Sequence, residues 1–331
     1  MSDLAKIAGV STSTVSRALA GSELINPETR DKIRKLASEY NYRLDINARN
    51  LRLKNHLSIG VLIPSSDKAK WQLSDPFFLE MIGNIAESLS EKDHDMVLSH
   101  INLHDRDWVD DGVRQSQFDG LIVIGQSDIH SRLNDIAGSF PNITVWGAQL
   151  PDKNYCTVGT DNRLGGELAV SHLIEQGSSK VLFLGNRAVP EDRLRYAGYC
   201  DAYQKAGLVI NEALSITSGS SKEEGYAAIQ AAFKSGIEFD AVFAASDALA
   251  IAVISGLSNL GVTVPDDVLV VGYDDITIAA YYTPAITTVR QDRALGGSLL
   301  VNKLLKKING DPVESQLIPT ELIIRDSSRK N

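Results

Sequence analysis

The chain has 331 residues, of which 43% are hydrophobic and 23% charged, enough for two or three folded units at roughly 100–200 residues each. Two cysteines exclude a disulfide framework, no basic-then-apolar leader opens the chain, and the most apolar stretch, 241–257, contains Asp247 and falls short of the roughly 20 apolar residues of a membrane span, so a cytoplasmic protein without membrane partner is expected. The net charge of −9 is unevenly spread: residues 1–57 hold ten Lys/Arg and six Asp/Glu, a net +4, and the other 274 residues carry −13. A basic head on an acidic body suits a head that meets phosphate.

The head reads as three helices. Leu4, Ile7 and Ala8 recur at helical spacing over 3–8. Gly9 permits a tight turn, and the Ser11 hydroxyl is placed to cap a second helix, Thr12–Leu19, that buries Val15 and Leu19. Gly21 ends it. Asn26-Pro27 then starts a third helix to about Tyr40, with Ile33, Leu36, Ala37 and Tyr40 on one face. Two short helices on a tight turn, followed by a third, form a helix-turn-helix module. Its second helix enters the major groove by its N-terminal residues. Thr12, Ser13, Thr14, Ser16 and Arg17 are therefore the expected DNA-facing set, with Arg17 directed to guanine or phosphate. A three-helix bundle with a polar face would share the periodicity.

From Leu57 onward, short apolar runs alternate with helical patterns. Strands are expected at 58–63, 96–98, 120–124, 143–146, 180–184, 241–244 and 269–273, and helices at 77–91, 164–176, 195–206 and 248–260. Fully apolar strands alternating with helices mean parallel sheets covered on both faces, here in sufficient number for two.

The run 4–19 (LAKIAGVSTSTVSRAL), with Asn26-Pro27-Glu28-Thr29-Arg30 and Tyr40-Asn41-Tyr42, resembles the DNA-binding signature of the LacI/GalR (lactose repressor) family. Asn47-Ala48-Arg49-Asn50-Leu51 resembles that family's hinge helix. In the body, Asp161-Asn162-Arg163-Leu164-Gly165-Gly166, Ser246-Asp247-Ala248-Leu249-Ala250, the run 264–275 (VPDDVLVVGYDD) and Thr287-Thr288-Val289-Arg290-Gln291-Asp292 extend the likeness to about 3–327. One departure is the short stretch before the first helix, where only Ser2 could stand in for the usual cap.

The resemblance implies an α/β fold: an all-α helix-turn-helix head and a two-lobed periplasmic-binding-protein-like body with two doubly wound parallel sheets. It places the helix-turn-helix domain at 1–45, a hinge helix and linker at 46–57, one lobe at 58–157 plus 289–319, and the other at 158–288 plus 320–327. It makes Asn47, Ala48, Arg49 and Leu51 DNA contacts, with Leu51 wedged into the minor groove, where an apolar wedge unstacks a flexible step and bends the duplex. Arg195, Asp247, Asp274 and Gln291 match effector-binding positions. Trp146 and Phe77 join them as aromatics that could stack on a sugar, although either could equally be plain core. Gly147 stands where many relatives carry an acid, which suggests room for a disaccharide or glucoside.

The implied function is transcriptional repression at a palindromic double-stranded operator by a homodimer, controlled by a small-molecule effector, expected to be a sugar acting as inducer. No leucine heptad follows Arg325, so no tetramerising coiled coil is expected. Neither cofactor nor metal is expected. No phosphate loop, nucleophile elbow or metal-spaced histidine pair points to an enzyme. A nucleobase effector, a corepressor-dependent regulator, and a sugar-binding protein without DNA role stay open as alternatives.

Overall fold

The computed structural model describes residues 2–19, 25–39, 56–65, 74–102, 118–127 and 129–329, and the chain divides into two compact units, Met1–His56 and Leu57–Asn331. The smaller unit contains α1 (Ser2–Ala8), α2 (Thr12–Leu19) and α3 (Pro27–Glu39). Gly9 turns the chain at φ 71°, a conformation costly for any side chain with a Cβ. The Ser11 hydroxyl accepts the Thr14 amide at 3.1 Å, and Asn26 Oδ1 accepts the Glu28 amide at 2.9 Å, satisfying orphan donors at both helix starts. Ala5, Ala8, Val15, Ala18, Ile33 and Ala37 form the core, and their small side chains let three short helices meet closely. Ser2 is the first residue inside α1, not the cap before it, since the helical hydrogen bonding already includes it.

The larger unit holds two six-stranded sheets. The first, in the order β11-β5-β4-β3-β1-β2, comprises β1 (Ser58–Ser65), β2 (Asp95–Asn102), β3 (Gly120–Ile124), β4 (Ile143–Trp146), β5 (Cys156–Thr160) and β11 (Gln316–Ile318). The second, in the order β12-β10-β9-β8-β6-β7, comprises β6 (Val181–Gly185), β7 (Ser215–Thr217), β8 (Ala241–Ala244), β9 (Leu269–Asp274), β10 (Thr287–Arg290) and β12 (Glu321–Ile323). Every pairing is parallel except β10 with β12. Central strands such as β3, β4, β6 and β8 are buried throughout, as expected for strands covered on both faces. The covering helices are α4 (Pro76–Ser90), α5 (His130–Ser139), α6 (Asn162–Glu175), α7 (Pro190–Lys205), α8 (Lys222–Lys234), α9 (Asp247–Ser258) and α10 (Arg293–Ile308).

Each sheet has a strand whose two neighbours follow it in the chain on opposite sides: β1 lies between β2 and β3, and β6 between β7 and β8. The connections leave such a strand in opposite directions, opening a crevice at its carboxyl end where ligands of doubly wound folds bind. The chain crosses between sheets after Thr160, after Arg290 and between Ile318 and Glu321. The boundaries expected at 157/158 and 288/289 therefore cut through strands. Residues 156–160 complete the pairing of β5 with β4 and β11, and 287–290 the pairing of β10 with β9, so each crossing moves two or three residues later.

Two glycines set the spacing of α6 and α7. A Cβ on Gly166 would run into the Arg195 carbonyl oxygen, and one on Gly198 into the Arg163 carbonyl oxygen. The helices touch backbone to backbone at reciprocal points, which fixes where Arg195 emerges.

Candidate functional site

In the smaller unit, α2 presents Thr12, Ser13 and Arg17 to solvent, while Val15 and Ala18 turn inward. The Ser11 hydroxyl is shared with the Ser13 and Thr14 hydroxyls at 2.8 and 2.9 Å. Thr14 is half-buried, so its hydroxyl braces the turn, and Thr12, Ser13 and Arg17 are better placed for base or phosphate contact. Ser16 lies within α2. Asn47, Ala48, Arg49 and Leu51 fall outside the described residues.

In the larger unit, a cleft of about 760 Å³ opens between the carboxyl ends of the two sheets. Loops and helix starts supply its lining. Phe77 and Phe78 open α4, whose first turn is capped by Asp75 accepting the Phe77 amide at 2.9 Å. Trp146 ends β4, with Phe77 6.2 Å away between ring centroids. From the second sheet come Glu191, Asp192 and Arg195 in the first turns of α7, Ser246 at the cap of α9, Asp274 at the end of β9, and Gln291 just after β10.

Arg195 is buried and held on three sides. Its Nε donates to Asn162 Oδ1 at 2.8 Å, its Nη1 to the Ala245 carbonyl at 2.5 Å, and its guanidinium lies 3.7 Å from the centre of the Tyr273 ring. Asp192 Oδ1 is 3.7 Å from Nη1. A planar cation locked over an aromatic face keeps one geometry, and a ligand meets it pre-organised. Asp274 accepts Gln291 Nε2 at 2.6 Å, and Thr160 donates to Gln291 Oε1 at 3.0 Å. Both ends of the Gln291 amide are thus engaged, and it orients Asp274. Asp274 and Asp275 follow one another at φ 122° and 55°, conformations that favour glycine. Arg293 donates to both their carbonyls and Arg325 to the Asp275 carboxylate, so the turn is over-determined.

Burial pushes the Asp274 carboxyl up to about 7, against the pull of Arg195, with Asp75 adding to the rise. Burial likewise raises Asp75, Glu191 and Asp192. A carboxyl that holds its proton longer when folded weakens the fold as pH rises. For Asp274 this contribution is absent below about pH 4 and complete above about pH 7. The thermal midpoint of the unliganded protein should therefore fall across that window, and Asp274→Asn should flatten the fall. Roughly 4 kcal/mol is the upper limit for a displacement of this size. Thermal melts of both proteins at pH 5, 6, 7 and 8 decide it, and equal slopes would refute the assignment.

Two expectations are corrected. Asp247 does not line the cleft. It is fully buried at the start of α9, where its Oδ2 accepts the Ile276 amide at 2.9 Å and so supports the Asp274–Asp275 turn from behind. Burial and the nearby Asp274 charge raise it well above the usual carboxylate range. Gly147 does not leave room for a larger ligand. A Cβ there would lie 2.7 Å from Gln126 Cδ, because Gln126 fills that space and exchanges hydrogen bonds with Ala148. The structure brings Phe77, Trp146, Arg195, Asp274 and Gln291 together.

Sequence reasoning passed over Glu191, Asp192, Asp75, Asn162 and Tyr273. Glu191 Oε1 accepts the Gln126 amide at 3.2 Å, linking the second lobe to the first. Glu80 on α4 makes a second link, accepting the Thr277 amide at 3.1 Å and Arg293 Nε at 2.9 Å. No group of three or more potential metal ligands occurs among the described residues, and no described helix is long and apolar enough to cross a membrane.

Comparison with known proteins agrees with this architecture. Residues 1–45 match the model "Bacterial regulatory proteins, lacI family", and 170–328 match "Periplasmic binding protein-like domain". The HTH-type transcriptional repressor PurR of Haemophilus influenzae (strain PittEE) is 30% identical over 338 residues, covering 98% of this chain and 97% of its own. The ribose operon repressor of Escherichia coli (strain K12) is 28% identical over 331 residues, covering 98% of each. Among solved structures, the lac repressor dimer bound to operator and the anti-inducer ONPF superposes with a TM-score of 0.83 at 25% identity, over 98% of each chain. With both parts matched and a 30% identical repressor aligned along nearly its whole length, the chain belongs to the lacI family of bacterial regulatory proteins, DNA-binding transcriptional repressors governed through an effector-binding body.

Proposed function

We propose that this repressor acts in the cytoplasm as a homodimer on a palindromic operator and is released from it by a sugar bound in the interlobe cleft. The observation that carries this is the make-up of the cleft. A locked guanidinium and a carboxyl, Arg195 and Asp274, stand on one side, and an aromatic wall, Trp146 and Phe77, on the other. Charged groups make the stronger hydrogen bonds to hydroxyls, and an aromatic face covers the C–H side of a sugar ring. The likeness to a ribose operon repressor supports a sugar, and the likeness to PurR keeps purines in the test.

DNA is read by Thr12, Ser13 and Arg17 of α2, with Thr14 and Ser16 supporting and Asn47, Ala48, Arg49 and Leu51 following from the hinge. An effector shifts DNA affinity only by its difference in affinity for two arrangements of the body, typically about 1–3 kcal/mol. In this reading the closed arrangement, marked by the Glu191–Gln126 and Glu80–Thr277 links, is the one the sugar favours. A thermal-shift screen of mono- and disaccharides, with purines alongside, tests it. The duplex for the second step is selected from a randomised pool. A sugar should raise the melting temperature and weaken binding of that duplex fivefold or more. Stabilisation by purines alone, or a sugar that binds without changing DNA affinity, would reject the assignment.

A further inference from the structure

Glu80 and Arg293 do not line the cleft, yet between them they hold the segment of the second lobe that supplies Asp274. Arg293 opens α10, just after the chain has crossed back into the first lobe. A guanidinium has five N–H donors, and here each has an acceptor. Nε donates to Glu80 Oε2 at 2.9 Å, and Nη2 lies 2.9 Å from the same oxygen. Nη2 also donates to the Asp275 carbonyl at 2.7 Å, and Nη1 to the carbonyls of Asp274 and Gln291, the latter at 3.1 Å. Glu80 offers its other oxygen to the Thr277 amide at 3.1 Å. One ion pair of the first lobe thus grips two carbonyls and one amide of the second.

A grip confined to the turn would only stiffen it locally, and two features point further. The helix that carries Glu80 also carries Phe77 of the cleft wall, while Asp274 gives its carbonyl to Arg293 and its side chain to the cleft. The pair is also not sealed. Its side chains are 12% and 27% exposed, and it borders a polar recess of about 530 Å³ that Asn84, Arg290 and Asp292 also line. Charged groups released there meet water, so the grip can open and re-form, whereas an ion pair parted in a dry core leaves its charges uncompensated. We infer that Arg293 and Glu80 form a clasp that sets the balance between open and closed lobes, which makes them positioning residues for the effector response that do not touch the effector. The bearing of the clasp on DNA rests on the reading above, in which the closed arrangement is the releasing one. The other interlobe link, the Gln126 amide on Glu191, shares no residue with the clasp and serves as its remote reporter.

Hydrogen exchange read by mass spectrometry on the full-length protein follows both places at once. Arg293→Gln removes the charge and the fork, and Glu80→Gln keeps the shape and removes the charge. In each variant, peptides spanning Gln126 and those spanning 274–277 should exchange about fivefold faster or more, as the loss of charge-assisted bonds implies. The buried strand β8 should keep its wild-type protection, which separates lobe opening from unfolding. Faster exchange at 274–277 alone would make the pair a local brace and overturn the inference. If Arg293→Gln exposes β8 as well, the milder Glu80→Gln decides, and exposure of β8 in both would make the pair a plain stabiliser of the fold and also overturn it. Binding of the selected duplex by the same variants separates the clasp from the reading it rests on. Affinity that holds or rises supports both. Faster exchange at Gln126 with weaker DNA binding keeps the clasp and rejects closure as the releasing arrangement.

Discussion

Arg195→Ala should leave operator binding intact and make it deaf to the effector. The guanidinium is fastened to Asn162, Ala245 and Tyr273, so its truncation removes the pre-organised cation of the cleft, takes the counter-charge from Asp192 and leaves Asp274 with Arg293. A charge-assisted hydrogen bond contributes about 1.5–3 kcal/mol, and two such bonds to a ligand correspond to a hundredfold or more in affinity. The body should also lose stability, because removing one partner of a buried ionic group costs about 3–5 kcal/mol. The smaller unit is compact by itself and carries α2, so DNA affinity without effector should stay within about twofold. Fluorescence anisotropy on the selected duplex, with and without the sugar found by screening, reads both quantities. A variant that still releases DNA at wild-type sugar concentration would remove Arg195 from the effector site.

The second large effect lies where nothing touches ligand. Gly166→Ala should destabilise the body by roughly 2 kcal/mol and weaken effector binding. Helix propensity alone favours alanine by about 1 kcal/mol. Overpacking a tight contact costs about 1–3 kcal/mol, and here the obstacle is the backbone carbonyl of Arg195, which cannot rotate aside as a side chain would. The clash therefore wins, and relieving it means pushing α7 away, taking Arg195 with it. Gly83 on α4 provides the opposite case. It is exposed with open space around its Cβ position, so Gly83→Ala should hold or raise the melting temperature. If both substitutions move the midpoint the same way, the helix-crossing argument fails.

The contrast between these glycines also marks what the sequence made legible. Periodicity and caps placed Thr12–Leu19 to the residue, because Ser11 and Gly9 act within one turn of the helix they delimit. The apolar runs of the central strands were equally plain. Three-residue strands such as β7, β11 and β12 show no period to read. Motif likeness brought Arg195, Asp274 and Gln291 to the cleft but could not separate Asp247, whose carboxylate is spent inside the fold on the Ile276 amide. Glu191 and Asp192 looked like ordinary acids in a first helical turn, where they favour the dipole anyway. Their place in the site depends on Gln126 and Arg195, 65 and 3 residues distant in the chain. The reading of Gly147 failed for the same reason, since the side chain that fills its space comes from residue 126.

The paired left-handed residues at 274 and 275 set thermal robustness against responsiveness at one point of the chain. Each such residue costs about 1–3 kcal/mol, an expense that glycine or asparagine would lessen. Selection for heat resistance alone would drift toward those replacements and yield a sturdier protein. Under the proposed function, the same drift would discard the Asp274 carboxylate of the cleft and blunt the response to the effector.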